Sequence, residues 1–350
     1  MNSPNEIDND ATIISTITTT TTTTPTTTNC KCGCVPNILS LFEMAALRDK
    51  KRKELKEKEE NAKRLLTENG NGNNNDNEVI DLLAELDTNV TLPLRMIGKD
   101  VSLRLNEKNN DNIIGVLLGH GLGPKNPKEK THLNDKYVDI ALNAINDRER
   151  LNTAPIITIA YTARGHGDSF GWENTAASNP EQFTWMKLAD DMISLASKFH
   201  LSKFIACGSS MGAATSLYTA INYPDRVHAI IMMRPPTAWN DRLSRRKTLL
   251  SSANKCQEAS AEGELHHLVI RGTAYSDLPS LDDIESYGKI KCPLLILTVE
   301  GDDSHPVSTA EAIKTMVTHA ELHISENDKK AKKTWPGIIK MFIEKVTRHT

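Results

Sequence analysis

The stretch that decides the fold is Phe204-Ile205-Ala206-Cys207-Gly208-Ser209-Ser210-Met211-Gly212-Ala213-Ala214-Thr215. It opens as a short apolar strand, passes through a G-x-S-x-G sequence, and continues in small residues that suit a tightly packed helix. The spacing has a steric reason. A nucleophilic serine must stand on a sharp strand-to-helix bend, where side chains two positions away would collide, so both flanks are glycine. The helix that starts there leaves unpaired N–H groups facing a developing negative charge. Without the strand and the helix, the same five residues would read as an ordinary glycine-rich turn. Ser210 is the expected nucleophile.

Around this bend the chain alternates short aliphatic runs with longer amphipathic ones. Strands are expected at Leu92–Ile97, Val101–Leu105, Ile113–Leu118, Ile156–Tyr161, Phe204–Ala206, Ala229–Met233, Leu294–Thr298 and Ala320–Ile324. Helices fit Asp135–Asn146, Phe183–Phe199, Met211–Asn222, Thr309–Val317 and Trp335–Val346. Such alternation means parallel crossovers, with helices on both faces of one sheet. Between Pro236 and Lys289 roughly fifty residues break the rhythm, and an insertion of that length usually carries structure or function. A helical lid over about residues 237–289 is the expectation.

Two further glycine-rich loops follow strands. Gly119-His120-Gly121-Leu122-Gly123 comes directly after Ile113–Leu118 and can bring a main-chain N–H close to a substrate. The backbone N–H groups of Leu122 and Met211 are the expected oxyanion donors. His120 reads as a brace for the loop. A dinucleotide-binding reading fails because G-x-G-x-x-G requires glycine where Pro124 stands. Arg164-Gly165-His166-Gly167-Asp168-Ser169, after Ile156–Tyr161, suits a loop at the same sheet edge, and His166 reads as loop architecture.

GHGLG, ARGHGDS and GSSMG, in this order on successive strands, resemble the α/β-hydrolase fold superfamily, in particular its serine-hydrolase branch. The resemblance spans about residues 92–348. It implies a mostly parallel eight-stranded sheet flanked by helices, and a triad running Ser, acid, His along the chain. The acid is expected after Leu294–Thr298, in Glu300-Gly301-Asp302-Asp303-Ser304-His305-Pro306. Asp302 fits a D-x-x-H-P pattern and is preferred to Asp303. The histidine is expected after the last strand, but Ser325 to Thr334 contains none. His323, a few residues early, is the first choice and His305, in the acid loop itself, the second; His319 and His349 remain. Trp172 and Trp239 are candidates to line a pocket, with Trp185 near them.

The implied function is a serine hydrolase acting on a small, partly apolar ester or related acyl substrate, with no metal or organic cofactor. The missing histidine motivates an alternative, an inactive or weak member that keeps the fold as a binding protein.

Composition limits the other classes. The 350 residues carry 42 Lys and Arg against 45 Asp and Glu, a formal net charge of −3 that does not suit a nucleic-acid partner. No run approaches the roughly 18–20 apolar residues that span a bilayer, and the start MNSPNEIDND lacks the apolar core of a signal peptide. A cytoplasmic protein is expected. Residues 1–90 read as an extension of low complexity, with a threonine tract from Thr18 to Thr28. A charged helix is expected over about 38–68, a possible dock for a protein or a membrane surface. Cys30, Cys32 and Cys34 are spaced too tightly for an ordinary zinc site. The domain is expected over 91–350.

Overall fold

The computed structural model describes residues 50, 53, 57, 78–87, 90–98, 101, 113–123, 130–147, 155–169, 179–259 and 266–348. The expected strand Val101–Leu105 lies outside these apart from Val101. The cysteine trio and nearly all of the 38–68 helix lie outside them too.

Eight strands form one sheet: β1 (Glu78–Glu85), β2 (Thr91–Gly98), β3 (Ile114–Gly119), β4 (Ile156–Tyr161), β5 (Phe204–Ser209), β6 (Val227–Met233), β7 (Leu294–Val299) and β8 (Glu321–Ser325). Their order is β1-β2-β4-β3-β5-β6-β7-β8, with β2 antiparallel to both of its neighbours, β1 and β4, and every other pair parallel. The sheet thus begins at Glu78 and corrects the domain start expected at residue 91. The reason is physical: β1 is an edge hairpin partner, covered on one face only, so its sequence EVIDLLAE carries little of the apolar signal that marks the inner strands.

Strands β3, β4, β5 and β7 are buried at every position. Alternate residues feed two cores: Leu117, Phe204 and Ala206 face one, and Val116, Leu118, Ile205 and Cys207 the other. Helices α1 (Lys136–Asn146) and α8 (Asp328–Thr347) cover the second face. Helices α2 (Trp185–Lys198), α3 (Met211–Asn222) and α7 (Val307–Met316) cover the first. Three helices fill the interval between β6 and β7: α4 (Trp239–Ala259), α5 (His266–Tyr275) and α6 (Ile284–Gly288). Leu249 and Ala253 of α4 pack on Ile270 and Ala274 of α5, and Leu122 from the loop after β3 joins this cluster. Among the described residues, no helix is long and apolar enough to cross a membrane.

One buried ion pair ties the loop after β4 to α2. The Arg164 and Asp191 side chains are 2% and 1% exposed, and the guanidinium meets both carboxylate oxygens, Nε to Oδ2 at 2.6 Å. Two desolvated charges stabilise only while both are present. Asp191→Ala should therefore lower the unfolding free energy by about 3–5 kcal/mol, while Arg164→Met with Asp191→Met recovers most of the loss, both read from urea denaturation midpoints.

Candidate active site

Ser210 sits between β5 and α3 with φ 51° and ψ −108°, a conformation that non-glycine residues rarely adopt. The neighbouring glycines make it feasible. A Cβ on Gly208 would run into the backbone of Gly212, and a Cβ on Gly212 would run into the carbonyl of Gly119. Main-chain bonds hold the bend: the Ser210 N–H donates to Met233 O at 2.9 Å and the Gly212 N–H to His120 O at 3.1 Å.

The Ser210 hydroxyl faces a histidine. His305 Nε2 lies 2.7 Å from Ser210 Oγ, and His305 Nδ1 lies 2.7 Å from Asp302 Oδ2. With Nδ1–H donating to the carboxylate, Nε2 is free to accept the serine proton. Acid and base belong to one turn before α7. The His305 N–H donates to Asp302 O at 3.0 Å, and the Ser304 N–H donates to Asp302 Oδ1 at 3.0 Å. Of the expected residues, the structure brings Ser210 and Asp302 together, with His305 as the joining ring.

His323 is not part of this group. It lies within β8, opposite Leu297 in the register. Glu321, on the same face of that strand, meets Lys345 of α8 at 2.7 Å, so this face is turned toward α8 while β8 forms the far edge of the sheet. A side chain inside a strand projects from the sheet face, whereas Ser210 stands at the carboxyl end of β5. The choice of His323 is corrected on that geometry. Asp303 makes no hydrogen bond to His305 and lines a neighbouring hollow with Asp241 and Thr237.

Burial lowers the His305 pKa, the Asp302 contact raises it, and the positive fields of Arg234 and Arg245 lower it further; the net direction is down from 6.5. Burial opposes ionisation of Asp302, but the His305 hydrogen bond and charge and the Ser304 amide outweigh it, so its pKa falls below the usual carboxylate value. Arg234, at φ 53°, contacts Asp302 with Nη2 and reaches Asp328 Oδ1 with Nη1 at 3.4 Å. Asp328 in turn accepts from Tyr137 Oη at 2.7 Å and pairs with Lys136 at 2.8 Å. The segment after β8, where the fold resemblance placed the histidine, contributes this aspartate instead, at the first position of α8.

The loop after β3 is fixed by two side chains that sequence reasoning did not fully assign. Asp135 caps α1 through Oδ1, and its Oδ2 accepts the Gly121 N–H at 2.8 Å. No sequence signal linked this cap to the glycine loop. His120 Nε2 accepts the Ala163 N–H at 3.0 Å, which leaves Nδ1–H to donate to Gly121 O at 3.0 Å. Burial pushes the His120 pKa down to about 4, so the ring stays neutral in this role. With the Gly121 N–H spent on Asp135, the Leu122 N–H and the Met211 N–H remain without an acceptor among the described residues.

Leu122, Met211, Trp185, Leu249, Ser210 and His305 line a cleft of about 120 Å³. Trp239 donates its ring N–H to Pro279 O at 2.8 Å and does not line this cleft, and Trp172 lies outside the described residues. No group of three or more His, Cys, Asp or Glu is placed to hold a metal ion among the described residues.

Comparison with known proteins agrees with this architecture. A family model described as alpha/beta hydrolase fold matches residues 158–254. No curated protein matches the sequence. Among solved structures, a hydrolase from Pseudomonas aeruginosa PA01 is 15% identical, with 76% of this chain and 97% of that one covered at a TM-score of 0.52. A thermophilic esterase from Thermogutta terrifontis is 16% identical, covering 77% and 99% at 0.52. A meta-cleavage product hydrolase from Pseudomonas fluorescens IP01 is 13% identical, covering 76% and 97% at 0.52. At these identities the likeness is one of fold.

The direction of the His305 shift is open to measurement. Its imidazole resonance should titrate below pH 6.5, and Asp302→Asn, by removing the contact that raises its pKa, should move the midpoint lower still in a nuclear magnetic resonance titration.

Proposed function

We propose that this chain, which belongs to the α/β-hydrolase fold superfamily, is a serine hydrolase acting on a small, partly apolar ester. The observation that carries the reading is the pair of 2.7 Å contacts linking Ser210 Oγ to His305 and His305 to Asp302.

In this reading Ser210 Oγ attacks the ester carbonyl carbon and its proton passes to His305 Nε2. The carbonyl oxygen becomes an oxyanion, which the N–H groups of Leu122 and Met211 receive; one such donor is worth about 3–4 kcal/mol. As the carbonyl reforms, the carbon–oxygen bond to the alcohol breaks and the His305 proton goes to the departing oxygen. Water then attacks the acyl-serine, gives its proton to His305, and releases the acid, with the proton returning to Ser210. Asp302 keeps the ring oriented and stabilises its protonated form throughout.

The binding-protein alternative was motivated by the lack of a histidine after β8. The proposal draws its base from another loop, so that absence no longer favours the alternative. The modest cleft and its apolar walls support a short acyl group over a long chain.

A fluorophosphonate probe should label the wild-type protein and not Ser210→Ala. His305→Ala should reduce ester turnover by on the order of 10⁵–10⁶, the scale for losing the base of a Ser–His pair, whereas His323→Ala should turn over like wild type. Equal losses for the two histidine variants would remove the assignment of His305, and an unlabelled wild-type protein would remove the hydrolase reading.

A further inference from the structure

Helix α4, above the cleft, carries Arg242, Arg245 and Arg246 in close succession. Two of them are committed. Arg242 is 2% exposed, donates Nε to Ser276 O at 2.7 Å and Nη2 to Thr273 O, and stacks 4.4 Å over the Trp185 ring. Arg246 donates to Ala274 O at 3.0 Å. Both thus satisfy carbonyls at the C-terminal end of α5, where positive charge is favoured.

Arg245 has no such use. It is half-buried, lines the cleft together with Ser210, Leu122 and His305, and has neither a hydrogen bond nor an ion pair among the described residues. Asp241 and Asp303 line an adjoining hollow with it, and neither forms an ion pair with it among the described residues. Taking a cation partly out of water without a partner costs free energy. Burial alone pushes its pKa below the usual arginine value, with no acid to oppose the shift. A planar guanidinium also offers paired donors that match a carboxylate.

We infer that Arg245 is an anion anchor, and that the substrate is a short ester bearing a carboxylate, held by this guanidinium while Ser210 attacks the ester carbonyl. The inference rests on the serine-hydrolase reading for the reaction, and on the unpaired Arg245 guanidinium in the cleft wall for the substrate class. The apolar side chains of Leu122, Met211 and Leu249 take the few carbons between the two ends.

Two measurements test this. In the first, p-nitrophenyl hemisuccinate is compared with neutral p-nitrophenyl butyrate. Wild type should favour the anionic ester in kcat/KM by at least about tenfold, the scale of one charge-assisted hydrogen bond. Arg245→Met should bring the ratio toward one, chiefly through KM. Lys247→Met, an exposed neighbour on α4, should retain it. In the second, monoethyl succinate is titrated into Ser210→Ala by calorimetry, which needs no turnover; adding Arg245→Met should weaken binding about tenfold or more. Ser210-dependent hydrolysis with no preference for the anion overturns the anchor and leaves the hydrolase reading intact. Arg245-dependent binding without hydrolysis of either ester keeps the anchor and removes the hydrolase reading. Monoethyl succinate that does not bind, or binds regardless of Arg245, overturns the inference.

Discussion

Three backbones meet where the chain turns out of the sheet: the end of β3 at Gly119, the end of β5 at Gly208, and the first turn of α3 at Gly212. No side chain fits among them, and only that closeness lets the helix begin directly on the strand. The positive φ of Ser210 is strain of about 1–3 kcal/mol, which the surrounding main-chain hydrogen bonds and the packing of α3 over-determine. The same contact brings the loop after β3 to lie against Ser210. The Ser210 hydroxyl and the N–H groups of Leu122 and Met211 are therefore placed by one steric fact.

Around that contact a ring of buried polar groups fixes what the glycines leave free. Asp135, at the start of α1, binds the main chain of the loop after β3, and His120, within that loop, ties it to the main chain of Ala163 after β4. Arg234 does comparable work on the other side, between Asp302 and Asp328. These groups gain little net energy from each bond, but an unpaired partner in such a place would cost about 1–3 kcal/mol. Their role is to keep flexible loops in a single arrangement at the carboxyl edge of the sheet.

The inner strands and the bend at Ser210 were legible because their physics is local. Strands buried on both faces read as unbroken apolar runs, and a turn with no room for Cβ atoms reads as glycine. The edge strand β1 was not legible, since half of its residues meet solvent and mixed polarity looks like linker. The choice of Asp302 over Asp303 came from the D-x-x-H-P spacing, and His305, which marks that spacing, ranked second to His323 as the histidine. What hid its part was the expected order, which places the base after β8. Whether His305 reaches Ser210 depends on how β7 lies relative to β5 two strands away, and on a backbone turn closed by its own N–H. Neither is written in the residue types. Asp135 was equally hidden: a helix cap is recognisable, but its second oxygen binds a loop fourteen positions earlier in the chain.

Asp302 and His305 share one turn, and this alters what the C-terminal segment has to do. Where such a pair is divided between two loops, its spacing depends on how the last helix docks, and every change there is felt at the reacting oxygen. Here the separation of Asp302 from His305 is a property of four consecutive residues, and α8 touches the pair only through Arg234. Apart from Asp328 at its head, which holds Arg234 against Asp302, that helix has packing to satisfy, and its sequence can drift while the Asp302–His305 turn travels intact as a single cassette.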